Sequence, residues 1–139
     1  MKEKAEELGM LGMVEKLKTI PGIGFVSALT IYTELSDISR FQKLDHLCSY
    51  IGLVPSTSSS GERESIHGVS VRQKKYLKNI IIEASWIAMR KDPALTISYL
   101  QLLKRMQGQK AIIKIAKKVV NRIRYVWIHN TEYQLSVVR

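Results

Sequence analysis

At 139 residues the chain is long enough for one domain with a core of its own and too short for two of ordinary size. A hydrophobic share of 45% excludes a disordered tail, and a single cysteine, Cys48, excludes a disulfide framework and any cysteine-based zinc site. Twenty-two Lys and Arg against 12 Asp and Glu leave a net charge of +10, which points to a polyanionic partner: nucleic acid, with an anionic membrane surface as the competitor. No stretch has the length and purity of a spanning helix, so a membrane partner is not expected. The charged start, Met1-Lys2-Glu3-Lys4, lacks the apolar stretch of a signal peptide, and Cys48 reads as a packed thiol in a reducing, cytoplasmic compartment.

Residues 2–18 carry Leu8, Leu11, Val14 and Leu17 among charges, the pattern of an amphipathic helix weakened by Gly9 and Gly12. This segment, 1–18, is read as a helical lead-in, the tail of a longer upstream helix, and 19–139 as the domain proper. Ile20-Pro21-Gly22-Ile23-Gly24 then stops one helix and turns tightly into another that runs through Ala28, Leu29 and Tyr32. The amides opening that second helix form a ready anion site, and the stretch resembles the helix-hairpin-helix motif of DNA binders, with Gly22 and Gly24 as candidate phosphate contacts. Phe25 and Val26 stand where such motifs often carry a cation, so a hairpin used only for packing is equally open.

Ser36, Asp37 and Ser39 are capping candidates in a polar turn. Phe41, Leu44, Leu47, Cys48 and Ile51 follow a 3.6-residue rhythm, predicting a short core helix that Gly52 ends in left-handed backbone and Pro55 stops. Ser56-Thr57-Ser58-Ser59-Ser60-Gly61 is a small, polar loop whose backbone can approach a bulky anion closely. Ser70 and Gln73 match a capping box opening a helix with Leu77, Ile80, Ile81, Ala84 and Ala88 on one face. Arg72, Lys74, Lys75 and Lys78 crowd its first turns against the macrodipole, a placement that an anion bound there would explain.

Asp92-Pro93 restarts a helix with aspartate as cap, predicted to run through Leu95, Tyr99, Leu102 and Leu103 to about Met106 and to be closed by Gly108. The last helix, Gln109 to about His129, gathers Ile112, Ile115, Ala116, Val119, Ile123 and Val126 on one side, and Lys110, Lys114, Lys117, Asn121 and Arg124 on the other. No acidic residue falls between Lys104 and Arg124, as suits a surface that tracks phosphates. Nothing argues for a β-sheet. The expectation is an all-α, multi-helix domain with a helix-hairpin-helix-like element and a serine-rich loop.

In order, Leu17-Lys18-Thr19-Ile20-Pro21-Gly22-Ile23-Gly24, Glu34 with Phe41, Tyr50-Ile51-Gly52-Leu53-Val54-Pro55, Ser59-Ser60-Gly61, Glu83-Ala84-Ser85-Trp86, Arg90-Lys91-Asp92-Pro93, Lys104-Arg105-Met106 and Lys110 through Arg122 resemble the C-terminal domain of the IS-one-ten/IS-eleven-eleven insertion-sequence transposases, relatives of the Piv invertases. The resemblance implies DNA strand cleavage and exchange guided by a bridge RNA, in a homo-oligomeric complex at the bacterial nucleoid. It implies Ser60 as a nucleophile forming a transient phosphoserine link. It also implies magnesium in a RuvC-like domain absent here, with no cofactor in this chain. Arg63, Arg72, Lys74, Lys75 and Lys78 are candidates to neutralise phosphoryl charge and His67 to take a proton; these roles come from their chemistry and position, not from the family. After the loop, Gln73, Lys74 and Lys78 stand where the family usually carries a Gly-Asn pair and an arginine. Glu62, Glu64 and Glu83 are too scattered for a two-metal site. Two other readings stay open at this level: a non-catalytic helix-hairpin-helix nucleic-acid-binding module, and a helical interaction domain whose basic face meets the acidic groups of a membrane or a protein.

Overall fold

A computed structural model describes residues 2–53 and 71–135. The described residues form helices α1 (Lys2–Leu17), α2 (Phe25–Leu35), α3 (Leu44–Ile51), α4 (Val71–Lys91), α5 (Pro93–Leu103) and α6 (Gly108–His129), with a 3-10 turn at Ile38–Arg40 and no strand. The all-α expectation therefore holds. The element the others wind around is α6, which packs against α1, α3, α4, α5 and the 3-10 turn. Its predicted apolar side is buried throughout, joined by Ala111 and Val120. Each large aliphatic side chain removed from water there contributes about 1.5–3 kcal/mol. The helix ends at Asn130, left-handed at φ 51°, a conformation that asparagine tolerates better than most residues.

The short core helix also appears where its rhythm places it. α3 closes with Gly52 at φ 94°, and the Leu53 N–H reaches back to the Cys48 carbonyl at 2.8 Å. Leu53, just past that stop, is fully buried. In α4, Leu77, Ile81, Ala84 and Ala88 are buried, while Ile80 is half-buried. The buried Ser85 hydroxyl donates to the Ile81 carbonyl at 2.7 Å, which satisfies it within its own helix.

Two expectations need correction. Leu8 and Leu11 do not share a buried face with Val14 and Leu17: they are exposed, and Met13, Val14 and Leu17 carry the packing of α1. Steps of three residues fall about 60° short of a full turn, so three of them carry Leu8 to the side opposite Leu17. α1 packs on α2 and α6, which puts its last turns in the same core as the rest. The second correction concerns Gly108. α5 ends at Leu103, and Gly108 opens α6 behind an extended Gln107 instead of closing α5. A Cβ on Gly108 would lie 2.8 Å from the Tyr99 hydroxyl, so close approach, not left-handed backbone, explains the glycine.

The α4–α5 corner is built on one buried carboxylate. Asp92 is fully buried, accepts from the Ala94 N–H at 2.9 Å as the α5 cap, and pairs with Arg122 of α6 at 2.6 Å. The Arg122 guanidinium in turn lies over the Tyr133 ring, 4.8 Å from its centre. The Tyr133 N–H donates to the Thr19 hydroxyl at 2.8 Å, and Lys16 Nζ donates to Asn130 Oδ1 at 2.7 Å. Asn130 and Tyr133, after α6, are thereby tied back to the end of α1 and the turn that follows it.

Candidate nucleic-acid interface

Gly22, in the turn from α1 to α2, has φ 94° and lies flat against α4: a Cβ there would stand 2.3 Å from the Ala84 carbonyl oxygen and 3.0 Å from the Ala88 nitrogen. Two alanines on α4 and a glycine in the turn let the two backbones touch. This glycine thus has a packing reason of its own. Gly24 differs. It is exposed, has open space where a Cβ would be, and caps α2 with no side-chain hydrogen bond, leaving the first amides of that helix open. Exposed Phe25 and Val26 border that end, with Lys18 Nζ 5.7 Å from the Phe25 ring centre.

The basic side of α6 is one stripe on a helical wheel, but its neighbours divide it in two. On the flank toward α3, the Arg124 Nη2 donates to the Gln42 carbonyl at 3.0 Å, and Lys117 is half-buried near enough to Cys48 to act on its thiol. On the flank toward α5, Lys114 and Lys118 face an open groove of about 480 Å³, lined also by Ser98, Gln101, Leu102 and Arg105. Lys110 is exposed at the start of the helix. On α4, Lys75 is exposed and the Lys78 stem runs past Gly52, beside the point where α3 ends. Ser60 and Arg63, with the serine-rich loop and His67, lie outside the described residues, as do the side chains of Arg72 and Lys74.

Among the described residues, ion pairs engage Lys18, with Glu15 at 3.3 Å, and Arg122, with Asp92. Lys75, Lys78, Arg105, Lys110, Lys114, Lys117 and Lys118 have no carboxylate partner there. Such a set of unneutralised cations repels itself, and binding a polyanion relieves that repulsion while releasing counterions. Sequence reasoning does not single out Arg105 and Lys118 as binding residues. Lys118 sits one turn beyond Lys114 but at the edge of the apolar arc, and Arg105 joins it only because α5 packs beside α6.

Burial pushes the Cys48 thiol above its ordinary value, with Lys117 opposing, so this cysteine is a core residue and not a nucleophile. Asp37 is held below the ordinary carboxylate range by its hydrogen bond from the Ser39 N–H, the mark of the cap it forms on the 3-10 turn. Among the described residues no group of three His, Cys, Asp or Glu could hold a metal ion. No helix among them is long and apolar enough to cross a membrane.

The described residues thus form a helical domain with a basic surface that has few carboxylate partners among them, the electrostatic character that suits a polyanion. Comparison with known proteins gives the family. The profile described as "Transposase IS116/IS110/IS902 family" matches residues 14–101, and the chain belongs to that family. It is similar to the transposase for insertion sequence element IS1111A of Coxiella burnetii, with 30% identity over 75% of this chain and 30% of that protein. It is likewise similar to the insertion element IS110 43.6 kDa protein of Streptomyces coelicolor, with 30% identity over 76% of this chain and 26% of that protein. The pilin gene-inverting protein of Moraxella bovis is 31% identical over 75% of this chain and 33% of its own length. The chain thus spans about a third or less of these curated relatives. No solved structure matches it.

Proposed function

We propose that this chain is the part of a DNA transposase or recombinase that holds nucleic acid and supplies the serine nucleophile, Ser60. The observation that carries the reading is a set of cations on α4 and α6, with Arg105 just past α5, that have no carboxylate partner among the described residues, in a chain that belongs to a transposase family. Lys75 and Lys78 stand on the first turns of α4, next after the serine-rich stretch in the chain, and Arg63, Arg72 and Lys74 join them in sequence. Lys110, Lys114, Lys117 and Arg124 extend the surface along α6. Of the hairpin glycines, Gly24 leaves the first amides of α2 open to an anion, while Gly22 sets the hairpin on α4.

In the proposed reaction the Ser60 Oγ–P bond forms as a P–O bond of the DNA backbone breaks. The hydroxyl proton passes to a base, for which His67 is the candidate, and the leaving oxygen takes up a proton. Reversal on a different strand end restores the serine and rejoins the DNA. A serine hydroxyl needs both proton removal and neutralisation of phosphoryl charge to act this way, and the cations that follow it in the sequence are the candidates for the second. By the family resemblance, the working complex is a homo-oligomer with a bridge RNA in the bacterial cytoplasm. Magnesium is needed in a RuvC-like domain beyond these residues.

Two measurements test the proposal. Ser60→Ala in the full-length parent protein abolishes excision and insertion while leaving DNA binding intact; undiminished recombination refutes the nucleophile. Binding of the 139-residue chain to DNA falls steeply between low and physiological salt, with a slope of about 0.9 per neutralised phosphate on duplex. A flat salt response refutes the basic surface.

A further inference from the structure

Past its cations, the exposed side of α6 carries an aromatic pair that core packing does not explain. Tyr125 is 54% exposed, and its ring stacks on the exposed His129 ring with centres 4.1 Å apart and planes 27° from parallel. The His129 Nδ1 lies 2.9 Å from the Tyr125 carbonyl, which fixes the imidazole one turn further along. At 100° per residue, Lys114, Lys118, Asn121, Tyr125 and His129 fall within about 80° of the helix circumference. Lys114 and Tyr125 are about 16 Å apart along the axis. Arg105 adds a third cation across the groove from Lys114 and Lys118.

We infer that this row is a track for an unpaired nucleic-acid strand. Arg105, Lys114 and Lys118 take its phosphates, and the Tyr125–His129 stack receives a base on its open face. The inference rests on the reading of this surface as nucleic-acid binding and adds to it the form of the ligand. Cations alone would serve duplex and single strand alike. An exposed aromatic face in line with them adds something only to a strand whose bases are unstacked, because a duplex keeps its base faces covered. An anionic protein segment would also meet lysines, but it gives no reason for a flat stacked pair at the end of the row.

The test uses the whole 139-residue chain with two fluorescein-labelled probes of equal length, a thymidine homopolymer and a mixed-sequence duplex, followed by anisotropy. Tyr125→Ala is expected to weaken single-strand binding roughly five- to hundredfold, the range of one base–aromatic stack, and to change duplex binding less than about twofold. Tyr125→Phe restores the single-strand value. A 5-iodouracil-substituted strand crosslinks on irradiation to the peptide that contains Tyr125. The paired change Lys114→Ala with Lys118→Ala weakens both probes and flattens the single-strand salt slope by about 0.7 for each phosphate that is no longer neutralised.

If Tyr125→Ala leaves single-strand binding unchanged while the lysine pair weakens both probes, the unpaired-strand inference falls and the basic surface stands. If the lysine pair changes neither probe, the surface reading falls with it. A Tyr125→Ala variant that alters self-association in sedimentation but not strand binding makes the pair a protein contact and overturns the inference. Tyr125 is exposed, so the variants are expected to keep the wild-type urea midpoint.

Discussion

Replacing Gly22 by alanine adds one methyl group at a place with no room for it. The backbone there has φ 94°, which costs an L-residue roughly 1–2 kcal/mol. The new Cβ would also stand 2.3 Å from the Ala84 carbonyl oxygen, and that atom belongs to the α4 backbone, so α4 or the hairpin must shift as a unit. Overpacking of this kind costs typically about 1–3 kcal/mol. The two terms together predict a loss of about 3 kcal/mol, a large share of the roughly 5–15 kcal/mol that holds a domain folded. Gly24→Ala is the control, because its neighbourhood is open and its φ of −92° suits any residue. That variant is expected to lose under about 1 kcal/mol. Urea unfolding followed by far-UV circular dichroism measures both. A Gly22→Ala protein within about 0.5 kcal/mol of the parent would refute the close approach of hairpin and α4.

Asp92→Ala removes a helix cap and leaves Arg122 buried without its partner, and is expected to cost about 4 kcal/mol in thermal or urea unfolding. Asp92→Asn, which keeps an acceptor for Ala94 but loses the charge, is expected to lose clearly less, and equal losses would show that the cap contributes nothing and the charge pair accounts for the whole effect. Cys48 is expected to resist a maleimide in the native protein and to react once urea unfolds it; fast native labelling would place the thiol at the surface. Its pKa is raised by folding, so its contribution to stability is whole below the unfolded thiol value and is lost as pH climbs through the folded one. An unfolding series from neutral to alkaline pH is therefore expected to show Cys48→Ala losing less stability than the parent at the alkaline end.

Much of this architecture was legible from local chemistry. The α6 core face, the Gly52 stop, the Asp92-Pro93 start and the buried Cys48 each follow from a periodicity or a backbone requirement carried within a few residues. Such signals survive because a helix repeats every 3.6 residues and a cap sits at a known offset from its helix. α1 misled for the same reason: Leu8 to Leu17 has a regular spacing of three, but that spacing spirals round the helix instead of marking one side. Gly108 is ambiguous in the same way, because close approach to Tyr99 and left-handed backbone leave the same letter in the sequence.

By itself the sequence determined an all-helical domain, a strongly basic surface and membership of a transposase family, since composition, periodicity and motif order are properties of the chain read in line. Only the tertiary structure decided what each glycine and cation faces. It set Gly22 against α4, parted the α6 stripe into an α3 flank and an α5 groove, brought Arg105 to Lys114 and Lys118, and joined Asp92 to Arg122 across 30 positions of chain. The physical reason is the same in each case. A helical wheel gives a side chain its direction from its own axis, but the neighbour waiting in that direction depends on how the helices pack.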